Sequence, residues 1–320
     1  MKQIFCMFLS VACILSVCNY AHTEPLQEMS SLCYWISVND DTGENVIMKT
    51  SGKGDSIIHQ KIGNGYMLES CGNTNIYYAT STDDGRWTVW EMFSNTPIAT
   101  ISDPGVIRIL AYYDQTIYYV VQQNGTPIIR VKNDNSTQTY PLGFNNSEFE
   151  YSLNDEFWGI EIDYQDRIVM LYSSTVSENG IIAYSVTEGS AWGDGSYSRS
   201  IYYSTLDQSD IYVDEGSHPA WYDRNTLLYV GADSRLYRYD IDNRISSPLI
   251  TMSGSEITLS SIDLEERLFV IDREYIVYFR SKDKRSILSL QSLETGEIYD
   301  FDGINSVELM DPILRVDICE

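Results

Sequence analysis

The stretch SHPAWYDRNTLLYVGADSRLYRYDIDNRISSPL, residues 217–249, decides the fold of this chain. A polar break at 223–225 precedes an apolar segment, 226–232, and a tight turn at Asp233-Ser234. An alternating segment, 236–241, comes next, and a further turn and a short segment end the unit. Alternation with a period of two residues, interrupted by Asp, Asn, Gly and Ser, is typical of antiparallel strands joined by tight turns. We therefore predict a four-stranded antiparallel meander.

The same unit recurs along the chain. The central strand of each copy carries one aromatic anchor: Trp35, Tyr78, Tyr119, Tyr184, Tyr229 and Tyr278. Most copies are about 40 to 50 residues apart, which is the length of one four-stranded propeller blade. The sequence therefore predicts an all-β protein, a six-bladed β-propeller of four-stranded antiparallel blades that forms a single domain over residues 32–320.

The two ends of the chain are predicted to close this ring. A polar linker is all that precedes Cys33, so the first copy lacks its inner strand, and the alternating C-terminal segment 313–319 can supply it. Such closure removes two exposed sheet edges. Because paired antiparallel strands bring opposite ends together, we expect a disulfide between Cys33 and Cys319, with Cys71 left as a buried free thiol.

The N-terminus has the features of an export signal. Lys2 precedes an apolar segment, 4–17, which is too short to span a bilayer comfortably and is followed by polar residues. We predict a signal peptide over 1–18, cut after Cys18 or after Ala21, and a linker over 19–31. Residues 15–18, Leu-Ser-Val-Cys, also resemble a bacterial lipobox, which would make Cys18 a lipidated first residue. The expected location is secreted, periplasmic or at the cell surface.

The charge of the chain restricts its partners. Lys and Arg number 21 against 46 Asp and Glu, which gives a net charge of -25. Nucleic acids and anionic lipids need clustered basic residues, so we expect no nucleic acid partner, and membrane attachment only through a lipidated Cys18. A strongly acidic surface also keeps an exported protein soluble. We expect a monomer.

The residues of the usual catalytic motifs are scarce. His59 and His218 are the histidines beyond the linker 19–31, and His218 is expected as a surface or capping residue. The sequence contains no Gly-x-Ser-x-Gly elbow and no glycine-rich phosphate loop. Its scattered cysteines have no metal-ligand spacing. We therefore predict no catalytic residues, no metal and no cofactor, and favour a protein that is not an enzyme.

One segment nevertheless points toward carbohydrate chemistry. Residues 81–87, STDDGRW, resemble the Asp box of sialidases with the Thr and Trp exchanged. We expect a turn in which Asp83 accepts backbone N–H groups and Gly85 has a positive φ. A glycan-binding or glycan-hydrolysing propeller is therefore the alternative function.

Two insertions in the fourth copy carry the candidate binding residues. Residues 143–165 lengthen the connection into its inner strand, and residues 187–199 lengthen the turn between its second and third strands. Because strands alternate in direction, both are expected on one rim of the ring. The proposed binding residues for a protein partner or glycan are Phe157, Trp158, Tyr164, Trp192 and Tyr197. The other interpretation is that these aromatic residues pack the insertions onto the blades.

The fifth copy resembles the repeat of TolB-like (PD40/WD40-like) six-bladed propellers. Pro219, Trp221, Leu236-Tyr237 and Asp240 match that repeat, whereas residues 222–225 depart from its Ser-Pro-Asp-Gly turn. The resemblance implies a periplasmic or secreted propeller that contacts other proteins. It implies no catalytic residues.

Overall fold

A computed structural model describes most of the chain between residues 33 and 305. The described residues are 33–38, 45–50, 56–68, 77–92, 94, 96–123, 126–140, 150–154, 159–164, 167–171, 176–188, 198–259, 268–271, 273–282 and 285–305. Their regular structure consists of 24 β-strands, without a helix. Across these residues there is accordingly no apolar helix of membrane-spanning length.

The first three sheets follow the chain in order. The first contains β1 (Cys33–Val38), β2 (Asn45–Thr50) and β3 (Ser56–Gly63). The second contains β4 (Tyr66–Leu68), β5 (Tyr77–Ser81), β6 (Trp87–Glu91) and β7 (Thr96–Ile101). The third contains β8 (Val106–Tyr113), β9 (Thr116–Gln123), β10 (Thr126–Lys132) and β11 (Thr137–Thr139).

Two further sheets complete the described fold. The fourth has nine strands: β12 (Glu150–Asn154), β13 (Gly159–Tyr164), β14 (Arg167–Leu171), β15 (Ile182–Glu188), β16 (Ser198–Ser204), β17 (Ile211–Asp223), β18 (Thr226–Gly231), β19 (Leu236–Asp240) and β20 (Ile245–Pro248). The fifth contains β21 (Leu268–Ile271), β22 (Tyr275–Lys282), β23 (Arg285–Ser292) and β24 (Ile298–Asn305). All-β antiparallel meanders are thus confirmed. Six blades and ring closure stay predictions, since residues 313–319 lie outside the described residues.

Strand β17 belongs to two meanders at once. Residues 211–215 pair with β16, and residues 216–223 pair with β18. The register shifts between Ser217 and Ala220, and His218 has φ 56, so the strand bends where one meander passes into the next. The nine-stranded sheet therefore consists of meander β14–β17, meander β17–β20 and a hairpin, β12–β13, ahead of them. The meander predicted from residues 217–249 is confirmed, with a longer first strand than expected.

The aromatic anchors lie in the core. Tyr78, Tyr119, Tyr184, Tyr229 and Tyr278 are between 0% and 3% exposed, each on the second strand of its meander. The side chain of Trp35 lies outside the described residues. A buried Tyr contributes a large apolar surface and needs a hydrogen-bond partner for its hydroxyl. The repeat recognised in the sequence is therefore a repeat of buried tyrosines.

Other tyrosine hydroxyls join neighbouring sheets. The hydroxyl of Tyr66 on β4 donates to the carbonyl of Ile109 at 2.8 Å and accepts from its N–H at 2.6 Å. Tyr113 on β8 donates to the carbonyl of Val176 at 2.9 Å. Strand β4 thus contacts β8, and β17 likewise contacts β21. Adjacent meanders therefore approach through their first strands, since β17 is the first strand of meander β17–β20. Phe could supply the packing at these sites but not the inter-sheet hydrogen bonds.

Two glycines at the start of a first strand permit close approach to the second strand: Gly105 immediately precedes β8, and Gly216 begins the part of β17 that pairs with β18. A Cβ atom on Gly105 would lie 2.8 Å from the carbonyl oxygen of Gln122, and one on Gly216 would lie 2.4 Å from that of Val230. Each glycine stands two residues after an aspartate, Asp103 or Asp214. Close contact between backbones is a reason for Gly at a strand position.

Candidate functional site

The first insertion in the fourth meander forms a hairpin, where we expected a loop. Strand β12 pairs with β13, and β13 pairs with β14, the first strand of the meander. The register places Tyr151 opposite Ile162 and Leu153 opposite Ile160. Alternating apolar residues favour a strand with one apolar face. The hairpin therefore extends the sheet beyond its first strand.

Four residues form a row across one end of this sheet. Tyr164 pairs with Arg167, Arg167 with Glu188, and Glu188 with Ser198. Glu188 and Ser198 flank the connection 189–197, which contains Trp192 and Tyr197. Tyr164 therefore lies, in backbone position, at the same end of the sheet as both ends of that connection.

The strand ends that flank Phe157 and Trp158 lie at the opposite end of the hairpin from Tyr164. The connection 155–158 joins Asn154 to Gly159, which pair with each other at the other end of β12 and β13 from Tyr164. Phe157, Trp158, Trp192 and Tyr197 themselves lie outside the described residues, as does the side chain of Tyr164. The flanking strand ends thus divide the five candidates into two groups, one with Phe157 and Trp158 and one with the other three.

A serine and a histidine meet where β17 bends. Ser217 Oγ and His218 Nδ1 share a hydrogen bond of 2.6 Å, and the two residues are 8% and 7% exposed. Of the two expectations for His218, the surface position is therefore wrong, because the residue is buried where the strand bends. Buried polar side chains need hydrogen-bond partners, and this pair supplies them to each other at the bend.

Tyrosine–carboxylate hydrogen bonds recur in the meanders. Tyr119 donates to Asp103 at 2.6 Å, Tyr229 donates to Asp214 at 2.6 Å, and Tyr184 donates to Asp210. Burial, followed by the nearby carboxylate, raises the pKa of each of these tyrosines. They therefore remain protonated donors at physiological pH and are unsuited to act as bases.

The segment resembling an Asp box is an exposed turn in which Asp84, and not the expected Asp83, accepts the side-chain hydrogen bonds. Gly85 has φ 77, as predicted, and its N–H donates to the carbonyl of Thr82 at 2.8 Å. Asp84, and not Asp83, accepts from Arg86 Nε at 2.8 Å. The hydrogen bond from Thr82, followed by the charge and hydrogen bonds of Arg86, lowers the pKa of Asp84. These contacts within the segment stabilise the turn.

Most of the cysteine side chains named in the predictions lie outside the described residues. Cys33 begins β1, but its side chain is outside them, as are Cys18, Cys71 and Cys319. Within the described ranges, no three His, Cys, Asp or Glu side chains are grouped so that they could hold a metal ion.

Comparisons with known proteins identify the fold. No protein-family model and no curated protein matches the chain. TolB from Acinetobacter baumannii is similar in structure, with a TM-score of 0.50, 14% sequence identity, and coverage of 90% of this chain and 67% of TolB. The WD40 β-propeller domain of Doa1 matches with a TM-score of 0.39 at 10% identity, over 87% of this chain and 82% of that one.

The class of protein follows from these findings. Antiparallel meanders that contact one another through their first strands, together with the similarity to TolB, define a β-propeller. More particularly, the chain has a TolB-like propeller fold, as residues 217–249 predicted. Similarity at this level of identity establishes the fold and leaves the function to be argued from the residues.

Proposed function

We propose that this chain is an exported β-propeller that acts by binding a protein partner through blade four, the meander β14–β17. The export segment 1–18 or 1–21 directs it out of the cytoplasm, and lipidation of Cys18 would retain it at a membrane surface. We further propose six blades, with segment 313–319 pairing beside β1. The similarity to the propeller TolB supports the architecture.

The observation that carries this proposal is the row Tyr164–Arg167–Glu188–Ser198. Its pairing supports a single surface that combines Tyr164 with the connection containing Trp192 and Tyr197. Trp and Tyr are the side chains that most often dominate the binding energy of protein interfaces, and loops on a rigid sheet are where such residues act. The sheet supplies rigid support, since β14, β15, β16 and β17 pair continuously.

Hairpin β12–β13 forms a second region in this proposal. It extends blade four beyond β14, on the side where the first strands of other sheets approach one another. Phe157 and Trp158 belong to its connection and would contact a partner from the opposite end of the sheet. A small partner engages one of the two regions, whereas a partner that spans the blade engages both.

The test is partner capture by variants of the secreted chain. The protein is immobilised, exposed to the extracellular or envelope fraction of its source, cross-linked and analysed by mass spectrometry. Once a partner is identified, Trp192→Ala is expected to weaken its binding about tenfold or more, as for an interface anchor. Met252→Ala is the control, because Met252 is 82% exposed and lies in the segment between β20 and β21, outside blade four.

The outcomes separate the candidate functions. Loss of binding in Trp192→Ala, with Met252→Ala unchanged, supports the proposal. Equal effects of Trp158→Ala and Trp192→Ala indicate a partner that spans both regions. Unchanged protein capture by both Trp variants, together with binding to a glycan array or release of sugar, would replace the proposal with the glycan-active alternative.

A further inference from the structure

Three tyrosines form a continuous series across blade four. Tyr184 on β15 pairs with Tyr202 on β16, which pairs with Tyr212 on β17. The rings of Tyr184 and Tyr202 are stacked at 6.1 Å, and those of Tyr202 and Tyr212 meet edge to face at 5.6 Å. The series begins in the core, where Tyr184 is 1% exposed, and ends at Tyr212, which is 51% exposed.

Comparison with two other blades shows that the scaffold does not require Tyr212. In blade two, the sheet β4–β7, Tyr78 stacks on Trp90, and the residue opposite Trp90 on the outer strand is Pro97. In blade five, the meander β17–β20, Tyr229 stacks on Tyr237, and the residue opposite Tyr237 on the outer strand is Pro248. Blade four instead presents an aromatic ring at this outer position. A large exposed aromatic residue where related positions carry proline indicates a binding role.

The rim around Tyr212 is negatively charged. Asp207 and Glu215 are exposed, and Asp210 and Asp214 are partly exposed, all within a few residues of Tyr212. None of these four takes part in an ion pair between described residues. Burial, then the charges of Asp214 and Glu215, raise the pKa of Tyr212, so both carboxylates act on its ring hydroxyl. Leu206 adds a nearby apolar side chain that is 45% exposed.

We propose that Tyr212, supported by Tyr202, is the docking position for an arginine side chain on a basic, partly apolar segment of a partner protein. A guanidinium stacks on an aromatic face and at the same time pairs with a carboxylate, here that of Glu215. The surplus of acidic charge favours a cationic segment over a neutral sugar, which would use the ring alone. The inference rests on the proposed function, because it names the chemistry of a protein partner, but it uses residues different from Tyr164, Trp192 and Tyr197.

The test measures binding of a fluorescein-labelled peptide that alternates Arg and Leu to the full secreted chain. Fluorescence anisotropy at physiological salt gives the Kd of this peptide and of peptides in which Lys or Glu replaces Arg. Tyr212→Ala is expected to raise the Kd of the Arg peptide about two- to fivefold. Glu215→Gln is expected to raise it by a similar factor, about two- to fivefold. Tyr212→Phe keeps the ring and is expected to bind like the native chain.

Matched controls distinguish docking from general attraction to an acidic protein. Met252→Ala removes an exposed apolar side chain elsewhere, and Glu294→Gln removes an exposed carboxylate elsewhere. The inference is overturned if Tyr212→Ala binds the Arg peptide normally, or if the two controls weaken binding as much as the Tyr212 and Glu215 variants. Loss of partner capture in Trp192→Ala with normal peptide binding in Tyr212→Ala would retain the proposed function and reject this inference alone. Equal melting temperatures of all variants confirm that folding is intact.

Discussion

The hydroxyl of Tyr229 donates a hydrogen bond of 2.6 Å to Oδ2 of Asp214 and thereby joins two blades. Tyr229 lies on β18, in blade five, and Asp214 lies in the part of β17 that pairs with β16, in blade four. The tyrosine is 0% exposed, so its hydroxyl depends on partners within the protein. Tyr119 on β9 and Asp103, which lies between β7 and β8, form the corresponding contact where blade two passes into the sheet β8–β11. In these two cases the hydrogen bond holds a blade to the segment of chain that leads into it.

Tyr229→Phe is expected to destabilise the fold while keeping the packing of the ring. Removal of the hydroxyl leaves Asp214 without this donor, and the free energy of unfolding should fall by about 1–3 kcal/mol, as for a hydrogen bond to a charged group. Urea unfolding followed by tyrosine and tryptophan fluorescence measures the change. Tyr237→Phe is the control, because Tyr237 donates to Asp233 at an exposed turn. Equal losses in both variants would contradict a special role for the buried contact.

Asp103 should make the stability of the fold depend on pH. Its hydrogen bond from Tyr119, assisted by Arg130 and opposed by burial, lowers the pKa of the Asp103 carboxyl in the folded state. A lowered folded-state pKa contributes stability above the unfolded pKa of about 4, and this contribution is lost as the pH falls through the folded value. Asp103→Asn is therefore expected to be less stable than the native chain at pH 7, with the difference shrinking below about pH 4.

Unfolding of both chains in urea across this pH range measures that difference. Asp134→Asn serves as the control, because Asp134 is exposed in a hairpin turn. A difference between the native chain and Asp103→Asn that stays constant down to the lowest pH would show that the carboxylate charge is not its source.

Gly216→Ala should be among the most damaging small substitutions in the described chain. A Cβ at this position would lie 2.4 Å from the carbonyl oxygen of Val230, so two paired strands must separate. We expect a loss of about 1–3 kcal/mol in the free energy of unfolding, as for other substitutions that overpack a core. Gly254→Ala is the comparison, since it meets no atom within 4 Å and is disfavoured by its φ of +82. That backbone strain is worth about 1 kcal/mol. A milder effect at Gly216 than at Gly254 would refute the close approach.

The proposed ring closure predicts one specific disulfide. Peptide mapping of the secreted chain under non-reducing conditions should find Cys33 linked to Cys319 and Cys71 as a free thiol. Cys319→Ser should then lower the free energy of unfolding by about 2–5 kcal/mol, as expected when a cross-link across a long loop is lost. Cys71 linked to either partner would overturn the closure, and Cys71→Ser provides the control for removal of a single thiol.

Much of the fold could be predicted from local pattern. The period-two alternation of residues 226–241 predicts strands and turns, and the buried anchors Tyr119, Tyr184, Tyr229 and Tyr278 stand where the repeat places them. Strand pairing between sequence neighbours needs no long-range information, which explains this success. The Asp-x-Gly pairs at 103–105 and 214–216 repeat ahead of two anchors and could have been noticed as a second signal. Their purpose was not readable from the sequence, because the contacts they make depend on how adjacent strands approach.

The sequence by itself determined the class of protein, because alternation, turn residues and a regular repeat are local properties that can be read from the order of the residues alone. The tertiary structure alone decided that residues 150–154 and 159–164 extend a sheet as a hairpin, that His218 is buried, and that Asp84 rather than Asp83 organises its turn. It also decided that strand β17 serves two blades and that Tyr229 reaches Asp214 across their junction. Each of these depends on which strands become neighbours, and that is set by packing between segments distant in sequence.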